Sequence, residues 1–154
     1  MEKSLEFIKR NYNPLVLAYL GDSFFELLAR EKLVADGNTT VAKLNELAKI
    51  YVTAVSQSRI VGIILDSLDE TEMWFYKTGR NTKNTHHSRS ALAVEYRRAT
   101  GLECLFGYLY LAGRGDRARE LYGLMHGKLP FSFLLRTSAI QTSLVALGLS
   151  SGDQ

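Results

Sequence analysis

Proline and β-type patterning are both scarce in this sequence, and this scarcity limits the possible folds more than any other feature. Only Pro14 and Pro130 occur in 154 residues. No stretch alternates apolar and polar residues with β-branched side chains, as a half-exposed strand does. We therefore predict an all-α domain. A chain of this length with 46% hydrophobic residues can fill one sizeable core.

Capping residues and glycines predict where each helix begins and ends. A break near Thr53 interrupts the third helical region, and Gly37 suits a left-handed C-cap. Asp69 starts a helix with acids in its first turn, which complements the helix dipole, and Gly79 ends it. The expected helical regions span residues 5–10, 13–35, 39–68, 69–79, 88–112 and 116–126. The residues expected to cap N-termini are Asn13, Thr39 or Thr40, Asp69 and Ser88.

Positive charge is concentrated in one segment. Residues 77–98 hold six Lys or Arg and one acid, a net charge of +5, which leaves 13 basic and 15 acidic residues elsewhere. A basic zone on a slightly acidic body is typical of a polyanion-binding protein, and a solvated charged loop is an equal alternative on charge alone. The six basic residues are Lys77, Arg80, Lys83, Arg89, Arg97 and Arg98.

Asp22 lies on an unusual helix face. At helical spacing it shares that face with Ala18, Phe25 and Ala29, so we expect the acid among small apolar side chains that face the core. Gly21 lies in the middle of the same helix, where glycine costs ~1 kcal/mol relative to alanine. Such a cost suggests that another backbone approaches closely at this position.

Glu103 repeats this pattern on a later helix, where it shares a face with Ala99, Phe106 and Gly107. A buried carboxylate requires a cation, hydrogen bonds or a proton. Two such acids at a close helix crossing would form a hard-oxygen site, which suits Mg²⁺ or Mn²⁺. The alternative, which the residues alone favour, is an ion pair for each acid. The candidate partners are Arg30, Arg97 and Arg98.

The two acidic segments resemble the ribonuclease III family. Residues 19–23, Tyr-Leu-Gly-Asp-Ser, resemble its signature helix, and residues 102–111 resemble its second acidic helix. The resemblance is greatest to the Mini-III branch, which lacks a double-stranded-RNA-binding domain. Residues 52–57 and 77–83 resemble the middle helix and the basic loop of that branch. In all, the resemblance covers roughly residues 13–127.

The resemblance implies a ribonuclease III-like helical domain with a central crossing of the two acidic helices. It implies an endoribonuclease that cleaves double-stranded RNA, with Asp22 and Glu103 as the catalytic residues that hold Mg²⁺, for which Mn²⁺ can substitute. The products would carry 5′-phosphate and 3′-hydroxyl ends. It further implies a homodimer that matures precursor 23S ribosomal RNA. The basic residues that we expect to bind RNA are Lys77, Arg80, Lys83, Arg89 and Arg97.

The sequence departs from the larger ribonuclease III enzymes at three positions. Leu15 and Ala18 stand where those enzymes have further acids near the first motif, and Thr100 replaces an Asp before the second Glu. The predicted site therefore keeps two acids, and the number of metal ions it holds stays open.

Domain organisation and cellular setting follow from simpler features. We expect residues 1–127 to form the catalytic domain and residues 128–154 a C-terminal extension. Cys104 is the only cysteine, which excludes an intrachain disulfide and suits a reducing cytosol. No secretory signal and no transmembrane helix are predicted, so we expect a cytoplasmic protein without a membrane partner.

Two other classes of function remain open on the sequence. A non-catalytic double-stranded-RNA-binding or scaffold protein on the same fold would share the basic surface without cleaving RNA. A plain helical interaction domain would hold its acids in ion pairs.

Glu26, one turn after Asp22, could bind a water of the metal site, but a surface ion pair with Arg30 is the favoured alternative. The adjacent His86 and His87 could be considered as a metal-binding pair. This interpretation is not favoured, because neighbouring side chains on an irregular loop diverge and no third ligand is suggested.

Overall fold

The computed structural model describes residues 2–37, 39–82 and 91–127, and within these ranges the chain forms seven α-helices, one 3₁₀ turn and no strand. The all-α prediction is therefore confirmed. The helices are α1 (Leu5–Asn11), α2 (Pro14–Asp36), α3 (Val41–Val52), α4 (Ala54–Ile64), α5 (Glu70–Asn81), α6 (Ala91–Leu111) and α7 (Gly115–Gly127). The 3₁₀ turn, Leu65–Ser67, follows α4 directly.

Side-chain caps begin α2 and α5 where the sequence predicts them. The Oδ1 atom of Asn13 accepts a hydrogen bond from the Leu15 amide (2.8 Å), and Pro14 occupies the first turn, where its missing N–H removes no helical bond. Asp69 and Glu72 form a reciprocal capping box at the start of α5. These caps fix the direction of the chain at the N-termini of α2 and α5.

Threonines cap the N-termini of both α3 and α4. Thr40, one of the two predicted candidates, caps α3, and Thr53 caps α4 at the position of the predicted break. The predicted cap at Ser88 lies outside the described residues, as does the 128–154 extension.

Two glycine predictions are wrong. Gly79 does not end α5, which continues to Asn81; it is buried, and a Cβ there would lie 2.9 Å from the Thr100 carbonyl oxygen and would overlap Cys104. Glycine is therefore required at this position because α5 packs against α6 at backbone distance. Gly37 has a φ of 161°, which is extended backbone and not a left-handed cap.

Helix α6 is the centre of the fold and packs against α2, α4, α5 and α7. Between Ala99 and Leu109 its apolar residues are almost fully removed from solvent, which accounts for the predominantly hydrophobic sequence of this part of the helix. Of these, Leu102, Leu105, Phe106 and Leu109 are each 0% exposed. A residue in this part of α6 is consequently surrounded by other helices on most sides.

A buried carboxylate joins α5 to α7. Glu72 is fully buried, and its Oε1 atom lies 3.0 Å from both Arg114 Nη2 and Arg117 Nε. Arg117 Nη2 also donates to the Ser67 carbonyl at 2.6 Å. Local sequence predicts only that Glu72 lies in the first turn of a helix, because its partners Arg114 and Arg117 are distant along the chain.

No helix in the described ranges is by itself both long and apolar enough to cross a membrane. The pair formed by residues 41–52 and 54–67 reaches that length and composition only in combination, with a bend of 58° between its halves.

Candidate active site

The crossing of α2 and α6 places the two predicted acids next to each other. A Cβ on Gly21 would overlap the Glu103 carbonyl oxygen and would lie 2.6 Å from the Gly107 amide nitrogen. A Cβ on Gly107 would overlap the Leu17 carbonyl oxygen in return. The two backbones are therefore in direct contact, as the glycine in the middle of α2 predicted. Asp22, the residue after Gly21, lies beside Glu103.

Glu103 is a half-buried acid with a strongly raised pKa. Its pKa rises to about 7, mainly because burial disfavours the charged carboxylate and next because of the negative charge of Asp22. The charge of Asp22 has this effect because the two carboxyl groups are close. The pKa of Asp22 is also raised, first by burial and then by the charge of Glu26.

The predicted burial of Asp22 is wrong. Ala18, Phe25 and Ala29 are buried as predicted, but Asp22 itself is exposed. The small residues Gly21 and Ala18 bring α2 against α6, and the acid lies at the rim of this contact, where solvent still reaches it. One acid of the pair is therefore open to a ligand from solution, and the other is held between helices.

The ion-pair alternative is not found at these acids within the described ranges. Arg30, one of the three candidate partners, pairs with Glu26 at 2.5 Å. Arg98 lies over α4, where its Nη2 atom is 3.2 Å from the position that a Cβ on Gly62 would take. The surface pairing of Glu26 with Arg30 matches the favoured prediction.

Gln57, on the first turns of α4, is a further polar residue beside Glu103. It is 0% exposed, and its amide lowers the pKa of Glu103 against the two raising effects. Neither of its polar atoms completes a hydrogen bond among the described residues. Sequence reasoning missed this residue. The available signal was a glutamine at helical spacing from the apolar residues Val61 and Ile64.

The positions that carry extra acids in larger ribonuclease III enzymes supply no carboxylate here. Leu15 is half-buried and Ala18 is buried, and the hydroxyl of Thr100 donates to the Tyr96 carbonyl of its own helix at 3.1 Å. No group of three or more His, Cys, Asp and Glu side chains able to hold a metal is found in the part of the chain that the structure describes. Within the described ranges, the carboxylates at the crossing are therefore those of Asp22 and Glu103, with the Gln57 amide beside Glu103 and with Glu26, which is paired with Arg30, near Asp22.

The predicted RNA-binding residues that can be described lie on α5 and α6. Lys77 and Arg97 are exposed. Arg80 is half-buried, with its guanidinium 5.8 Å from the centre of the Tyr76 ring. The contact of Gly79 with α6 brings the end of α5 close to the part of α6 that carries Glu103. Lys83 and Arg89 lie outside the described residues.

Comparison with known proteins identifies the group to which this architecture belongs. The model of the Ribonuclease III domain matches residues 15–114, which include both acidic helices. The chain belongs to the ribonuclease III family.

Relatives within this family include short members. The chain is 38% identical to the Mini-ribonuclease 3 of Brevibacillus brevis, over 71% of this chain and 81% of that protein. It is 42% identical to the Mini-ribonuclease 3 of Symbiobacterium thermophilum, over 70% and 83% respectively. A crystal structure of a protein from Fusobacterium nucleatum superposes with a TM-score of 0.68 and 32% identity, covering 79% of this chain and 98% of that one.

Proposed function

We propose that this chain hydrolyses double-stranded RNA with a divalent cation held by Asp22 and Glu103. Membership of the ribonuclease III family makes the chain an endoribonuclease. The observation that carries the site assignment is the backbone contact of α2 with α6, which juxtaposes the two acids. No salt bridge involves either acid among the described residues, so a cation is the partner that would make their proximity favourable.

The donor set fits a hard cation such as Mg²⁺, with Mn²⁺ as a substitute. Carboxylate and amide oxygens are the protein ligands that these ions prefer, and Mg²⁺ typically keeps several waters. The exposed Asp22 leaves room for such waters and for a phosphate group. Cys104 adds no ligand, because its thiol is buried and its pKa is raised to about 12 by that burial.

The two acids would have different roles at the cation site because their environments differ. With a pKa of about 7, Glu103 is partly protonated at neutral pH and would give up this proton to hold a cation. Asp22, at the rim, would bind the cation from the solvent side. When bound, the cation supplies Lewis-acid polarisation of the phosphate and lowers the pKa of a nearby water. Water adds to phosphorus in line and releases a proton to solvent, the bond to the 3′ oxygen breaks, and that oxygen takes up a proton from solvent.

The basic side chains at the end of α5 and on α6 would contact the RNA backbone. Duplex RNA is recognised mainly by shape, through phosphates and 2′-hydroxyls. Lys77 and Arg97 are exposed and free of the ion pairs found elsewhere in the described ranges, so both are suited to phosphate contacts. Arg80 is oriented by Tyr76 and by a 3.2 Å hydrogen bond to Asn81. Lys83 and Arg89 are proposed to extend this surface.

We further propose that the active form is a homodimer built on the outer face of α2. Val16, Tyr19 and Leu27 are 52%, 81% and 49% exposed on this helix. Tyr110, 51% exposed, packs beside it against Phe24 with ring centres 5.1 Å apart and ring planes tilted by 59°. An apolar surface of this kind is typical of a protein contact. A second copy of the chain would cover it and would supply a second acid pair for the other RNA strand.

The natural substrate that we propose is a duplex region of precursor 23S ribosomal RNA, in the cytoplasm. Support for it comes from the similarity to Mini-ribonuclease 3 proteins and from the basic surface, which would select a polyanion. A precursor transcript incubated with the protein would be cut in its helical stems and not in its single-stranded regions.

The proposed activity is tested with a long duplex RNA and the same strand unpaired, each with Mg²⁺ and with EDTA. We expect the duplex alone to be cut, only with the cation, and to yield fragments that carry 5′-phosphate ends. Failure of the wild-type protein to cut the duplex under varied salt and metal conditions would contradict the proposal. Binding without cleavage would instead favour the non-catalytic RNA-binding alternative.

A further inference from the structure

Gln57 is a fully buried amide without a hydrogen-bond partner among the described residues. Its Oε1 and Nε2 atoms are both unpaired there, although the side chain is 0% exposed. A buried amide without hydrogen bonds costs free energy, and such groups are rare in native proteins. A glutamine at a core position of α4 therefore indicates a role outside packing.

The position of Gln57 points to the acid pair. Helix α4 packs against α6, which places the fully buried Gln57 amide beside the Glu103 carboxylate without a completed hydrogen bond in the described ranges. The pKa of Glu103 is lowered by this neighbour, which is the effect of a donor near a carboxylate. The other unpaired buried polar atoms of the described part belong to Tyr122 and His126 on α7, whose rings contact each other with centres 4.1 Å apart. Gln57 differs from them because its neighbour is a carboxylate of the proposed site.

We propose that Gln57 is a positioning residue of the cation site, whose Nε2 donates to the Glu103 carboxylate while its Oε1 accepts a hydrogen bond from a water of the site. This inference rests on the proposed function. Val61 and Ile64 are each 0% exposed on the same helix, so α4 is anchored in the core and holds the amide in place. Binding of a cation with its waters would give both amide atoms of Gln57 the hydrogen-bond partners that they lack.

An amide is the side chain that this role requires. Asp22 and Glu103 already repel each other, and a third carboxylate would increase that repulsion. The neutral amide orients Glu103 and favours its ionised form without adding negative charge. Groups that orient a metal-binding carboxylate in this way typically change metal affinity or activity by about 10–100-fold when they are removed.

The test is Gln57→Met in the full chain, because methionine has a similar length and no polar donor. We expect the metal-free variant to melt a few degrees higher than wild type, since an unpaired buried amide is replaced by an apolar group. We expect its affinity for Mn²⁺, measured by calorimetry with the metal alone, to fall about tenfold. For duplex RNA we expect kcat to fall about 10–100-fold with KM nearly unchanged.

Ile60→Met is the matched control, since Ile60 is equally buried on the same helix and the new side chain is identical. It should leave Mn²⁺ affinity and kcat at wild-type values. The proposal is overturned if Gln57→Met binds Mn²⁺ and cleaves like wild type, or if the metal-free variant fails to fold. If wild type binds Mn²⁺ but cuts no duplex RNA, the proposed function fails, and the Mn²⁺ affinities of the two variants still decide the role of Gln57.

Discussion

At the scale of single residues, two ionisable side chains have pKa values shifted in opposite directions from their usual ranges. Glu103 has its pKa raised to about 7, chiefly by burial and then by Asp22. His126 has its pKa lowered to about 4, chiefly by burial and then by the charge of Lys32. Both therefore favour the neutral form, and each makes the stability of the metal-free protein depend on pH, with opposite sign.

Glu103 should make the metal-free protein less stable as pH rises. An acid with a raised pKa contributes stability that is present below its unfolded pKa near 4.5 and is lost as pH rises through 7. Relative to Glu103→Gln, the free energy of unfolding of wild type should fall by about 2–3 kcal/mol between pH 5 and pH 8, as measured by urea denaturation in EDTA. An unchanged difference across this range would contradict the raised pKa. Adding Mg²⁺ at pH 8 should restore wild type but not the variant.

His126 should have the opposite effect. A buried neutral histidine contributes stability that is present above its unfolded pKa of 6.5 and is lost as pH falls toward 4. Phenylalanine can retain the ring contacts with Tyr51 and Tyr122 without taking up a proton. As pH falls from 8 to 5, the free energy of unfolding of His126→Phe should therefore increase by about 2 kcal/mol relative to that of wild type. Parallel stability curves for the two proteins would show that His126 does not titrate as proposed.

At the scale of elements, the contact between α2 and α6 depends on glycine. Gly21→Ala should lower the free energy of unfolding by about 3 kcal/mol or more, because the new Cβ overlaps the Glu103 carbonyl and forces the helices apart. It should also reduce cleavage, since the acids move with the helices. Urea denaturation and a duplex-RNA assay measure the two effects.

Gly123→Ala is the control for this substitution. Gly123 lies inside α7, and a Cβ added there would have no neighbouring atom within 4 Å, so the new methyl group meets no clash. Alanine should there raise stability by about 0.5–1 kcal/mol through its greater helix propensity. A Gly21→Ala protein as stable as the Gly123→Ala protein would show that the helices do not cross at backbone distance.

The sequence predicts those parts of the structure that local chemistry determines. The caps at Asn13 and Asp69 could be predicted because a cap is satisfied by its own helix. The role of Gly79 could not, because whether a glycine ends a helix or permits close packing depends on a distant partner, here Cys104. The exposure of Asp22 was missed for the same reason, since helical spacing gives a direction and not the edge of the neighbouring helix.

At the scale of the whole molecule, the proposed dimer can be tested through the outer face of α2. Tyr19→Asp places a charge at the most exposed aromatic residue of that face and should shift the protein from dimer to monomer in sedimentation experiments. Val41→Asp, at an apolar residue 72% exposed at the start of α3, is the control and should remain dimeric. A monomeric wild type, or a dimeric Tyr19→Asp protein, would contradict the proposed interface.

Asp22 and Glu103 are proposed to act as one site, and single-turnover cleavage of duplex RNA by three variants tests whether they do. Asp22→Asn and Glu103→Gln should each lower the rate constant at least about 100-fold at saturating Mg²⁺. The double variant should be no slower than the slower single variant, because groups that act as a unit are not additive. Wild-type rates in either single variant, or a double variant whose loss equals the product of the two, would contradict a shared site.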